Sequence, residues 1–286
     1  MVKKVVITAA GLGTRLLPMT KELPKEMLAV YFKGDSGGIL LKPLLQIIFE
    51  QLYDFGFRDF CFIVGRGKRA IEDHFTPDWD FVEKLNNKGK SNLANDLMKF
   101  YRRIETSSII WINQPEPKGF GHAILMSKPF VKDDPFLACA GDTVIISKRK
   151  IFIEKMLEAF YIKKSNAVLL LQEVEDPRQY GVALSEKEDD KYRIKKVVEK
   201  PQIPPSNKAI MPYYIFDSKI IEKLEKVQPG VGGEIQLTDA IQLMIDDNLK
   251  VYAVELDKED LRFDIGTPET YWEALNFSYK IAKENI

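Results

Sequence analysis

The chain alternates short β-branched runs with longer stretches whose apolar residues recur every three to four positions. Residues 5–9 (VVITA) read as a first strand that empties into a glycine-rich turn. Between residues 42 and 55, Leu44, Leu45, Ile48 and Leu52 share one helical face, and residues 60–64 follow as a buried strand. The rhythm continues through a strand over 108–113, a helix after Gly121 and a strand over 136–140. Strand–helix–strand repetition predicts an α/β chain with a Rossmann-like mixed, mostly parallel sheet and helices on both faces. After about Lys164 strands crowd together over 167–172, 181–184, 192–199 and 211–216, as in an antiparallel or mixed extension. Helices resume near Lys219 and Glu234, and a final one is predicted over 268–283. Neither an internal repeat nor a low-complexity linker interrupts the pattern, so one domain over residues 1–286 is the simplest organisation.

Composition narrows the classes. The 286 residues carry 42 basic and 42 acidic side chains, and 45% are hydrophobic, which excludes wholesale disorder and gives no reason to expect a nucleic-acid partner. Apolar runs stay well short of the ~20 residues a membrane-spanning helix needs. The apolar start of the N-terminal segment runs straight into a glycine turn and leaves no signal-peptide core. Cys61 and Cys139 lie far apart in apolar runs, and with only His74 and His122 beside them a structural zinc site is not expected. The chain reads as cytoplasmic.

The richest chemistry lies in residues 9–28, AAGLGTRLLPMTKELPKEML. Gly11 and Gly13 after a strand allow a tight turn whose N–H groups approach an anion. It is not a full dinucleotide fingerprint, because Leu16 holds the third glycine's position, and no Gly-Lys-Ser/Thr follows for a Walker loop. Arg15, Lys21 and Lys25 follow instead. A guanidinium can clamp two phosphate oxygens and an ammonium supplies a mobile charge, a set suited to a triphosphate that loses pyrophosphate. Residues 1–28 hold five cations (Lys3, Lys4, Arg15, Lys21, Lys25) against Glu22 and Glu26, so the neutral total conceals a local cationic excess. Asp142 ends the apolar run PFLACAGD, at the edge where open α/β sheets bind ligands, and a carboxylate there suits Mg2+. Adjacent strand residues point to opposite faces, so Glu199 and Lys200 share a ligand only if the strand ends or bulges there, which Pro201 favours.

The segment at 9–28 resembles the signature of the sugar-1-phosphate nucleotidyltransferases, specifically their prokaryotic UTP–glucose-1-phosphate uridylyltransferase branch. The resemblance continues through QPEPKGFGHAIL, AGDTVI, YGVAL, VVEKP and GGEIQLTDAI, in order over most of the chain. It implies a nucleotide-diphospho-sugar transferase fold, with residues of about 1–150 as a nucleotide-binding half and of about 151–286 as a sugar-phosphate-binding half with a C-terminal helix. It implies uridylyl transfer from UTP to glucose 1-phosphate with Mg2+, and a homo-oligomer, dimer or tetramer. By this likeness Arg15 and Lys25 hold the triphosphate while the backbone of Ala10, Gly11, Leu12 and Gly13 touches nucleotide. Gln114 and Gly119, with Gly121 nearby, read the pyrimidine. Asp142 and Asp264 bind the metal, and Lys200 meets the sugar phosphate. Glu199, Tyr180, Gly181 and Tyr214 line the sugar pocket. His122 is read as a packing or hydrogen-bonding residue, since an anionic nucleophile needs no general base.

Pro212 and Gly232 depart from the relatives' patterns: the first replaces a usual glycine, and the second stands where thymidylyltransferases carry arginine. Gly232 argues for the uridylyl branch over the alternative, a thymidylyltransferase or an enzyme using both nucleotides. A nicotinamide-dependent dehydrogenase would need an acid ending a second strand about twenty residues past the glycine loop. Residues 33–38, KGDSGG, with Asp35 at that distance, read as a loop instead. A non-catalytic sugar-nucleotide sensor is disfavoured by the retained Arg15, Lys25, Asp142 and Lys200.

Overall fold

The computed structural model describes residues 1–34, 37–147, 151–188 and 191–284. Strand β1 (Lys4–Ala9) leads through the glycine turn and three 3-10 turns to a hairpin, β2 (Ala29–Lys33) and β3 (Ile39–Pro43). Helix α1 (Leu44–Asp54) and β4 (Asp59–Val64) follow, then α2 (Arg69–His74), α3 (Trp79–Asn87) and α4 (Ser91–Glu105). Next come β5 (Ser108–Asn113), α5 (Phe120–Met126), α6 (Lys128–Val131), β6 (Phe136–Ala140), β7 (Thr143–Ile146) and α7 (Ile151–Ile162). The remainder comprises β8 (Ala167–Glu173), β9 (Gly181–Glu188), β10 (Lys191–Glu199), β11 (Lys208–Phe216), α8 (Lys219–Leu224), α9 (Leu237–Asp246), β12 (Val251–Glu255), β13 (Leu261–Asp264) and α10 (Pro268–Glu284).

Nine strands form one sheet in the order β5-β4-β1-β6-β11-β8-β12-β10-β9. Four consecutive β-branched residues in β1 leave no face for water, so that strand lies inside the sheet with β4 and β6 parallel on either side. Side-chain alternation then divides the core. Val5, Ile7 and Ala9 pack beneath α1, α4 and α7, whereas Val6 and Ala10 join Ala123, Ile220 and Ile241 on the opposite face. Helices therefore cover both faces, as the periodicity predicts. Parallel pairing is confined to β5–β4–β1–β6 and β8–β12, and the other junctions are antiparallel. The strands after Lys164 thus reduce the parallel share below what the N-terminal rhythm alone suggests.

Two small ribbons were not legible in the periodicity: β2–β3, which packs against α10, and β7–β13. The helix expected near Glu234 begins at Leu237, because Gly232 and Gly233 take positive φ and Glu234 and Gln236 are extended. Pro212 sits within a register shift between Met211 and Tyr214 of β11, a bulge that tolerates its missing donor. Asp35, on which the dehydrogenase alternative turns, lies outside the described residues; β2 and β3, before and after it in sequence, pair antiparallel. Cys61 and Cys139 are buried free thiols.

Candidate active site

Two cavities open side by side above the ends of β1 and β6. The first, of about 310 Å3, is lined by the loop after β1, Lys25, Gln114, Gly119 and Asp142. The second, of about 340 Å3, is lined by Arg15, Tyr180, Glu199, Lys200, Tyr214 and Asp264. Phe120, Ala140 and Asp142 belong to both walls.

The glycine loop shapes the first cavity. Gly13 takes φ 66°, and Thr20 donates its hydroxyl to the Gly13 carbonyl at 2.7 Å, pinning the turn. Ala10, Gly11, Leu12 and Gly13, the segment the resemblance assigns to nucleotide contact, all line the cavity. Gln114 stands just beyond β5, where its N–H donates to the Val64 carbonyl at 2.7 Å. Its side-chain amide donates to the Gly119 carbonyl at 3.2 Å and to Nδ1 of His122 at 2.9 Å. His122 thereby orients the glutamine, and burial lowers its pKa. Gly121 does not line either cavity. It is buried, and a Cβ there would lie 2.6 Å from the Ile235 carbonyl, so its smallness lets α5 pack on the 235–237 segment. Lys21 also stands apart, exposed beside Glu22. Lys4 sits at the opposite end of β1, bound to the Phe130 carbonyl and Asp134. The cationic cluster at the N-terminus is therefore only partly the site's own.

The second cavity draws on the far half of the chain. β10 ends at Glu199, and Lys200 turns away with φ 40°, its N–H donating to the Tyr180 carbonyl at 3.0 Å. That turn brings both residues to one cavity, meeting the condition the sequence set. Thr238 donates to Glu199 at 2.9 Å, and Gly181 allows the approach, since a Cβ there would meet Thr238 at 2.7 Å. Tyr214 is buried and stacks on Phe216, and burial pushes its phenol pKa up.

Asp142 is the junction. It follows β6, and Ile265 donates its N–H to the Asp142 carbonyl at 3.0 Å, which brings Asp264 of β13 alongside. Lys25 pairs with one carboxylate oxygen and the Thr143 hydroxyl donates to the other at 3.3 Å. Burial opposes ionisation of Asp142, but the Lys25 ammonium outweighs it and holds the carboxyl below its usual range. Burial likewise opposes the charge on Lys25, and Asp142 overcomes it, raising the ammonium pKa. Asp264 moves the other way: burial and then the neighbouring Asp142 charge push it up. Two half-buried carboxylates that repel each other are the donor set a hard dication relieves. No group of three or more His, Cys, Asp or Glu side chains with metal-holding geometry occurs among the described residues, so further ligands would come from phosphate oxygens and water.

Sequence reasoning missed several participants. Glu26, almost wholly buried in the first cavity wall, pairs with buried Lys68 at 2.8 Å, and no local motif marks Lys68. Arg262 donates to the Tyr180 hydroxyl at 2.9 Å and lies 3.8 Å from Asp264. Its two-residue offset from Asp264 on one strand was a readable signal. Glu234 lines the first cavity from a segment distant in sequence.

A glycine loop carrying a lysine and a second cavity lined by an acid and a lysine meet at one aspartate, an arrangement suited to nucleotidyl transfer. The family model for nucleotidyl transferases matches residues 4–280. A UTP–glucose-1-phosphate uridylyltransferase of Staphylococcus epidermidis is 41% identical over 270 residues, 93% of this chain and 88% of that protein. The one from Pseudomonas aeruginosa is 36% identical over 285 residues, 98% of this chain and 97% of that protein. A crystal structure of UDP-glucose pyrophosphorylase complexed with UDP-glucose superposes with TM-score 0.84 at 33% identity, covering 98% of this chain and 99% of that one. The UTP-bound enzyme from Acinetobacter baumannii superposes with TM-score 0.83 at 28% identity, over 98% of this chain and 94% of that one. The chain belongs to the nucleotidyl transferase family and, within it, to the UTP–glucose-1-phosphate uridylyltransferases.

Proposed function

We propose that the chain transfers the uridylyl group of UTP to glucose 1-phosphate, giving UDP-glucose and pyrophosphate. The observation that carries this reading is the meeting of two cavities at Asp142. A nucleotide seated in the first presents its α-phosphorus at the junction, where the phosphate of a sugar in the second can attack in line.

The attacking oxygen is already anionic, so no base is required. The protein must align two polyanions and offset the charge gathering at the bridging phosphorus. Lys25 and Arg15 flank Asp142 from the two cavities and take the triphosphate oxygens. Gln114 and Gly119 read the uracil edge, with the backbone of residues 10–13 beneath the nucleoside. Lys200, half exposed and 3.5 Å from Glu199, reaches the sugar phosphate, while Glu199, fixed by Thr238, accepts from sugar hydroxyls. Tyr180, Gly181 and Tyr214 close that pocket. Asp142 and Asp264 would hold Mg2+, which when bound neutralises phosphate oxygens and polarises the α-phosphorus. Arg262 keeps Asp264 and Tyr180 in register with one another.

The two halves act as one domain in this reading, because the reacting groups arrive from both. Exposed Leu41, Trp272 and Phe277 on the hairpin and α10 support assembly into a homo-oligomer, and the two free thiols fit a cytoplasmic setting. No helix of the described residues is long and apolar enough to cross a membrane. Pyrophosphate release across a panel of nucleotides and sugar 1-phosphates tests the assignment. UTP with glucose 1-phosphate should give the highest kcat/KM, and a clear dTTP preference would overturn it.

A further inference from the structure

Three acids line the first cavity: Glu26, Asp142 and Glu234. A polyanion cannot be received against uncompensated carboxylates, so each must be answered. Glu26 is answered by Lys68 and Asp142 by Lys25. Glu234 is exposed, and among the described residues it has no ion-pair partner; its carboxylate receives the Gln236 amide at 3.4 Å. On the cavity wall it suits a part of the ligand that donates hydrogen bonds rather than the phosphates, which it would repel.

Its place in the fold agrees. The cations Lys25 and Arg15 gather at the Asp142 end, whereas Glu234 stands beside Gly119. Ile235 donates its N–H to the Lys118 carbonyl at 2.8 Å, and Gly121 donates to the Ile235 carbonyl at 3.0 Å. The Glu234 carbonyl accepts from Gly230 at 2.8 Å, closing the glycine turn behind it. A Cβ at Gly119 would lie only 2.7 Å from that of Glu234. The carboxylate is thus held on a braced extended segment at the nucleoside end of the cavity. The donors a pyrimidine nucleoside offers outside its base are the ribose hydroxyls. Carboxylates serve them well, as the acid after the second strand does in dinucleotide folds.

We propose that Glu234 accepts hydrogen bonds from the ribose hydroxyls of the incoming nucleotide and is the residue by which this chain prefers a ribonucleotide to its 2′-deoxy analogue. The inference rests on the uridylyl-transfer reading and adds its sugar specificity. A polar group placed for a substrate hydroxyl rejects the analogue that lacks it where the bound nucleotide covers that group from water, because the acceptor then loses both partners.

The test compares kcat/KM for UTP and dUTP, with glucose 1-phosphate and Mg2+ held constant, in the wild type, Glu234→Ala and Glu234→Gln. Glu234 is exposed, so neither variant threatens the fold. The wild type should favour UTP, and Glu234→Ala should cut the UTP/dUTP ratio roughly tenfold or more, chiefly by lowering efficiency with UTP. Glu234→Gln, which keeps an acceptor without its charge, should fall between. A ratio unmoved in Glu234→Ala, or equal losses with both nucleotides, overturns the inference while leaving uridylyl transfer intact. A wild type that uses neither nucleotide overturns the uridylyl reading, and this inference with it.

Discussion

Gly119→Ala tests the wall of the first cavity, to which base reading is proposed. Gly119 holds φ 93° and ψ 175°, a region that side-chain-bearing residues essentially never occupy. Forcing alanine there costs roughly 1–3 kcal/mol. The new methyl would also stand 2.7 Å from the Glu234 Cβ and 3.1 Å from the Ile235 carbonyl, closer than van der Waals contact permits. Neither neighbour is a flexible side-chain tip, so the 234–236 segment must retreat. The Ile235–Lys118 hydrogen bond then weakens, adding about 1 kcal/mol. Together these predict a loss of about 3 kcal/mol, or a Tm roughly 6 °C lower for a chain of this size. The same retreat displaces Gln114, which donates to the Gly119 carbonyl, so KM for UTP should rise roughly tenfold. KM for glucose 1-phosphate should move little, because Gly119 is outside the second cavity. Differential scanning calorimetry and initial-rate kinetics read both effects. A Tm within about 1 °C of wild type together with an unchanged KM for UTP would refute the reasoning.

Three other outcomes are expected. Asp142→Asn should lower kcat by about 100-fold or more at ordinary Mg2+ while circular dichroism stays native, and near wild-type turnover would remove the metal role. Lys68→Met should destabilise by roughly 3–5 kcal/mol in urea denaturation by stranding buried Glu26, and adding Glu26→Gln should recover most of the loss; a single variant as stable as wild type would show that the pair does not matter. Burial depresses the His74 pKa to about 4, against 6.5 unfolded, so stability from its neutral form is complete above pH 6.5 and is lost as pH falls toward 4. That contribution reaches about 3 kcal/mol, and His74→Gln should flatten the stability curve over this window relative to wild type; parallel curves would exclude it.

The periodic core was legible from the chain. Runs such as VVITA and FLACA can only be interior strands, and the leucine face of α1 can only cover them, because side-chain spacing and backbone geometry are local properties. The residues with distinctive local chemistry were legible for the same reason: the glycine turn, the strand-end Asp142 and the Glu199–Lys200 break. Short ribbons such as β7–β13 were not, since four-residue strands carry little periodic signal and depend on distant partners.

What the sequence determined by itself was the alternation of elements, the place of the anion loop and the identity of the groups that could do phosphate chemistry. The tertiary structure decided which of those groups work together. The neutral balance of 42 against 42 concealed a loop excess, yet Lys4 and Lys21 point elsewhere, while Lys200 and Arg262 arrive from nearly 200 residues or more away. Only folding paired Glu26 with Lys68, set Glu234 on the wall of the first cavity, and packed Gly121 against the 235–237 segment. Charge and hydrogen-bonding capacity are written residue by residue, but the distances that turn them into a site are set by how the strands pair.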